Sequence, residues 1–331
     1  MDRIKKEEYK NVLIAYLTAT ALMYLGLDMP VIIIAVPFVL VYAIVRCGFL
    51  FGGAASILSF TTICLLNFNV TCIWAAAFLP VCFAAAYAIR SKKRFRDSVI
   101  VSSAAALVGI ALAIGMLSLF TGKSVVDFIV DYIGENIKAL GDKDIKTLYQ
   151  MARYSDILSG AVTQEVVTAT PPATAIAEIQ DKLRETLNFL FVAGIAVYSM
   201  ITGLLYYVIP RAIAKKQKID VIMIPSLSEY VLPKRFWLAY ILSYFAAAIG
   251  ASYGWQSFDV LELTLYYVYA FVFVVQGLSL LDFFYKKRNM GIGARVLLHI
   301  VVTLILSSIL IWVGLLENAV GIRKRISQRE G

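Results

Sequence analysis

The sequence predicts an all-α, polytopic transmembrane helix bundle of about nine spans with a helical extracytoplasmic insertion. Three observations carry this. Of 331 residues, 60% are apolar and 16% charged, against about half and about a quarter in an ordinary soluble domain. Apolar runs of about 20 residues, enough to cross ~30 Å of hydrocarbon, recur along the chain. Lys and Arg sit in short clusters between these runs, as they do in cytoplasmic loops. The composition excludes a soluble enzyme, a disordered chain and a disulfide scaffold.

The candidate spans are residues 11–27, 30–45, 49–66, 70–89, 99–120, 187–209, 236–253, 258–284 and 296–316. The first follows Arg3, Lys5, Lys6 and Lys10. A secretory signal has the same basic start, but a second apolar run follows almost at once, so a retained span is expected. Only Arg46-Cys47-Gly48 separates the second span from the third. The chain is read as a five-span bundle (1–121), an extracytoplasmic helical loop (122–186) and a four-span bundle (187–331) with a cytoplasmic interfacial segment at 221–233.

Lys/Arg counts set the orientation. The N-terminus, the 90–96 loop, the 211–235 segment and the 286–295 loop are basic and assigned to the cytoplasm. The alternate loops at Asp28, 67–69 and 254–257 contain no Lys or Arg. Nine spans then put the tail outside, although it carries Arg323, Lys324, Arg325 and Arg329. The net charge of +9 reflects these loops. No basic stripe interleaved with aromatics appears, so no nucleic-acid partner is expected.

Residues 122–186 hold seven Lys/Arg and ten Asp/Glu, opposite in sign to the other loops. Val125, Val126, Ile129, Ile133, Ile137 and Leu140 recur at helical steps. Ser124 followed by Asp127 resembles a capping box with Asp in place of Glu or Gln. A second helix over 143–158 is expected to start with Asp142 as N-cap. Pro171-Pro172 breaks the helix before a third run at 175–186. These helices read as packing on the membrane surface or span ends, or as a lid over an outward pocket in which Ile129 and Ile133 are lid residues. Residues 221–232, between basic clusters and interrupted by Pro225, read as an amphipathic interfacial piece.

Polar groups at membrane depth are costly and therefore informative. Asn67, Glu262 and Gln276 are candidate ligand or buried polar residues. Asp282 and His299 fall near basic residues, where solvated or snorkelled pairs are expected. The cysteines Cys47, Cys64, Cys72 and Cys82 form no C-x-x-C pair, and His299 is the one histidine. No converging zinc ligands, catalytic triad, carboxylate dyad or phosphate-binding loop is visible. No enzyme activity, metal or cofactor is expected. Ala15 and Ala19, four apart in the first span, permit close helix contact, either within the chain or as a docking face.

The stretch Ile224-Pro225-Ser226-Leu227-Ser228-Glu229-Tyr230-Val231-Leu232-Pro233, with Phe236-Trp237, resembles the interfacial motif of bacterial YybS-like membrane proteins of unknown function. Gln276-Gly277-Leu278-Ser279, Gly314-Leu315-Leu316-Glu317 and Arg323 continue the match, with Glu317 where that family commonly has Asp. The family is similar in its N-terminal part to the S components of energy-coupling-factor vitamin transporters. Their first span carries a small-x-x-x-small docking motif, which Ala15 and Ala19 match. The resemblance implies a multi-pass protein of the bacterial cytoplasmic membrane that binds a small molecule for transport without its own ATPase. Its partners would be the lipid bilayer and a coupling membrane subunit with ATPases. The alternative is a structural or regulatory protein that binds a partner through 221–232.

Overall fold

In a bilayer, backbone N–H and C=O groups must be satisfied within their own segment, which a helix achieves. The computed structural model describes residues 2–66, 70–154, 167, 169–222, 224–254 and 256–330, and all nine apolar runs are helical where described. Five helices among the described residues are long and apolar enough to cross a membrane: Val31–Leu66, Phe95–Thr121, Pro172–Lys216, Ser257–Lys287 and Ile292–Val320. Ala75–Arg90 and Phe236–Ser252 are shorter apolar helices. The chain divides into two compact units, residues 1–113 with 193–331, and residues 114–192.

In the first unit, α1 (Asp2–Asp28) is followed by a 3₁₀ turn (Pro30–Ala35) and α2 (Val36–Leu66). Within α2 the chain doubles back at Gly48, whose φ of 87° and ψ of 168° are not helical. A side chain rarely tolerates that φ. The reversal is tight: a Cβ added at Gly52 would lie 2.6 Å from the Ala43 carbonyl oxygen. The weak boundary between the second and third runs is therefore a helical hairpin. Arg90, at the end of α3 (Val70–Arg90), donates to the Ile44 and Val45 carbonyls at 3.3 and 3.1 Å. Those carbonyls end a helix and lack an intrahelical partner.

α4 (Phe95–Thr121) follows, and α7 (Pro172–Lys216) brings the chain back to this unit. The core is formed by Ala19, Met23, Leu40, Val41, Ile44, Ile63, Cys82, Ala85, Tyr207 and Ala214. Tyr42 and Arg46 both reach Gln217, and Lys92 pairs with Asp220. The 90–96 loop and the start of the 211–235 segment, both assigned to one side, thus lie together.

The remaining helices are α8 (Phe236–Ser252), α9 (Gln256–Lys287), α10 (Ile292–Val320) and α11 (Ile322–Glu330). α9 and α10 cross closely. A Cβ added at Gly277 would lie 2.5 Å from the Leu310 carbonyl oxygen, and one at Gly314 would overlap that of Phe273. α10 is bent at Leu306, with φ −123° and ψ 26°. Gly321, with φ 67° and ψ 54°, caps it in the left-handed region. Among the described residues of 221–233, the regular element is Leu227–Glu229, a 3₁₀ turn with a capping box between Ser226 and Glu229.

The second unit holds α5 (Val125–Lys138), α6 (Asp142–Ala152) and the start of α7. Ser124 caps α5 by accepting from the Asp127 N–H at 3.1 Å, as the sequence predicts. The N-cap of α6 is Gly141, not Asp142, which lies in the first helical turn where its charge favours the helix dipole. α6 ends at Ala152, short of the expected 158, and residues 155–158 lie outside those described. Pro172 is the first residue of α7, where a missing N–H costs nothing. The apolar stripes cover one another: Ile137, Ile145, Tyr149, Val167, Ala175 and Ile176 form a small core.

This unit is also tied by carboxylates. Ser124 and Arg184 hold the Asp127 carboxyl below its ordinary range, and Tyr149 and Arg153 do the same for Glu178. Groups depressed on folding stabilise above their unfolded pKa, about 4, and lose that contribution as pH falls through the folded value. Both are partly exposed, so solvent screens the effect. A nitroxide at Glu135→Cys, on the exposed side of α5, should gain mobility between pH 7 and pH 3, and Ser124→Ala should shift that transition to higher pH. Equal mobility throughout would deny the carboxylates this role.

Candidate functional site

The site is the polar group buried where 221–233 meets α9, α10 and α11. A non-helical segment packed among apolar helices needs acceptors and donors from elsewhere. The neighbouring side chains supply them. Leu232 N–H donates to Gln276 Oε1 at 3.0 Å, and Ser228 N–H donates to Asp282 Oδ2 at 3.1 Å. Ser279 Oγ lies 2.6 Å from the Leu227 and Tyr230 carbonyls. Gln276 and Ser279 are fully buried. They lie on one face of α9 with Asp282, at i, i+3 and i+6.

Arg323 completes the clamp. Its Nη1 donates to the Ser228 carbonyl at 2.8 Å and to Ser279 Oγ at 3.0 Å, and its Nη2 donates to the Tyr230 carbonyl at 3.0 Å. Its Nε donates to Glu317 Oε1 at 2.8 Å. Both members of this ion pair are buried. At the outer edge, Lys286 donates to Ser226 Oγ at 2.9 Å. Hydrogen bonds from Ser226 and the nearby Lys286 ammonium hold the Glu229 carboxyl below its ordinary range.

A second charged group adjoins the first. Asp282 Oδ1 accepts from Arg295 Nη1 at 3.0 Å and lies 3.3 Å from His299 Nε2. Asp282 is 8% exposed at its side chain, Arg295 16% and His299 15%. The expectation of solvated pairs at Asp282 and His299 is corrected: α10 and the 221–233 segment cover them. Gln276 Nε2, Arg295 Nε and His299 Nδ1 are buried without a hydrogen-bond partner among the described residues. Among the described residues, no three His, Cys, Asp or Glu side chains are placed to hold a metal ion.

The other sequence candidates lie apart from this site. Ala19 is fully buried in the core beside Met23, and Ala15 is 9% exposed, so both serve packing inside the chain. Ser59 Oγ donates to the Tyr16 carbonyl at 3.3 Å, which ties the same stretch of α1 to α2. Glu262 is half-buried beside the Tyr244 hydroxyl. Ile129 and Ile133 are half-buried, and Ile133 packs on the small core of the second unit. Asn67 lies outside the described residues. Sequence reasoning picked out Gln276 but not Ser228, Ser279 or the Glu317–Arg323 pair as a site. A signal existed for the last: a charge pair six residues apart across Gly321, at the end of an apolar run.

A helical architecture with long apolar helices and buried ionisable residues defines a polytopic helical membrane protein. The chain belongs to the DUF2232 family of predicted membrane proteins, whose family model matches residues 13–316. No curated protein and no solved structure matches it.

Proposed function

We propose that this chain is a transport-associated subunit of a bacterial cell membrane that binds a small polar molecule. It has no ATPase or other enzyme activity of its own and works with a coupling membrane subunit and its ATPases. The observation that carries this reading is the Asp282–Arg295–His299 group. Ionisable side chains buried in an apolar helix bundle are costly and mark functional sites. The likeness of the sequence to S components supports the same reading.

A second reading, a structural or regulatory protein acting through protein contacts, has one observation in its favour. Ala15 and Ala19, the match to the docking motif, are used in packing within the chain, whereas Ile222, Leu227 and Val231 are exposed on the 221–233 segment. Native purification with mass spectrometry separates the two. The transport reading expects an ATPase pair and a bound small molecule, at least tenfold depleted in Asp282→Asn. A preparation free of small molecules that retains an envelope or division protein supports the second reading instead.

A further inference from the structure

We infer that Arg211 anchors a binding site for a phosphate-bearing anion at the basic end of the first unit. Arg211 lies in the last two turns of α7 and is 3% exposed. A buried guanidinium is stable only with a counter-charge and with its donors satisfied. Arg211 forms no ion pair among the described residues, and its Nη2 is buried without a hydrogen-bond partner. Asp97 and Asp220 are the carboxylates of the adjoining stretches 88–99 and 207–221, and both are taken. Asp97 pairs with Arg96, and Asp220 with Lys92. Arg90, Lys93, Arg94, Lys215 and Lys216 of the same stretches are exposed. They add to the charge of Arg211 instead of neutralising it, and such a rim draws anions.

The facing helix supplies a second donor. α4 and α7 pack so closely that a Cβ added at Gly203 would lie 2.4 Å from the Ser103 nitrogen. Nearer the basic end, Phe95 meets Tyr207 with ring centroids 6.1 Å apart. Between these contacts α4 carries Ser98 and Ser102, both fully buried. Ser98 Oγ donates to the Arg94 carbonyl at 2.9 Å, but Ser102 Oγ has no partner. A helical side chain leans toward the N-terminus of its own helix. The Arg211 guanidinium is thereby carried inward from Lys215 toward Tyr207, whose hydroxyl lies beside it. A guanidinium N–H and a serine hydroxyl, both lacking an acceptor, thus sit with a phenol on two packed helices. Phosphate suits this set, because its oxygens accept charge-assisted bonds from donors that come from different directions. None of these residues belongs to the Asp282 group, so the inference stands independently of what that group binds.

The phosphate is carried either by a free anion or by an anionic phospholipid headgroup, and the test separates the two. The full chain is purified in detergent and stripped of lipid. Its thermal midpoint is titrated with inorganic phosphate against chloride at matched ionic strength, then with phosphatidylglycerol against phosphatidylcholine. Stabilisation by inorganic phosphate identifies a free anion, and stabilisation by phosphatidylglycerol alone identifies a headgroup. Arg211→Gln should abolish the response. Ser102→Ala should keep the midpoint of the parent without ligand, because its hydroxyl has no partner to lose, and should weaken the apparent affinity about fivefold. Ser102→Ala therefore tests the site even when Arg211→Gln fails to fold. No response to either probe, a response retained in Arg211→Gln, or full affinity in Ser102→Ala overturns the inference.

Discussion

Arg323→Ala is expected to destabilise the first unit by about 3–5 kcal/mol, the cost of leaving one member of a buried ion pair alone. Glu317, 3% exposed at its side chain, would be left buried without its ion-pair partner. The Ser228 and Tyr230 carbonyls would each lose a donor at the same time. Arg323→Lys should recover little, because one ammonium cannot serve Glu317, Ser228 and Tyr230 in the planar geometry of a guanidinium. Thermal unfolding in detergent, followed by tryptophan fluorescence, measures this. Trp237 adjoins the clamp through Asn318 and should report it directly. A midpoint unchanged in Arg323→Ala would show that the clamp contributes nothing to stability.

Gly314→Ala should lower stability by about 1–3 kcal/mol or more, as overpacking in a tight contact does. The added methyl would meet the Phe273 carbonyl oxygen and the Gly277 nitrogen, which are backbone atoms and cannot turn aside. α9 and α10 would have to part, and the Asp282–Arg295 contact would stretch with them. Gly293→Ala is the matched control. It lies in the same helix with nothing within 4 Å of the added carbon, so the gain in helix propensity, about 0.5–1 kcal/mol, should show unopposed. Equal effects of the two substitutions would mean that the helices do not cross at Gly314.

The sequence by itself determined the features that depend on local chemistry. The apolar runs became helices because a bilayer leaves the backbone no other partner. Ser124 became an N-cap, Pro172 began a helix, and the Arg46-Cys47-Gly48 join became a hairpin because glycine accepts the left-handed φ. Gln276 stood out because an amide inside an apolar run demands a partner. What that partner is, only the tertiary structure decided. Leu232 lies 44 residues from Gln276, Ser228 lies 54 from Asp282, and Arg323 lies 95 from Ser228. Nor did Ala15 and Ala19 reveal whether they faced a partner or the chain's own core, because a helix apolar all round shows no periodic face. The bend at Leu306 was likewise not legible in hydropathy, which counts the length of an apolar run and not its path.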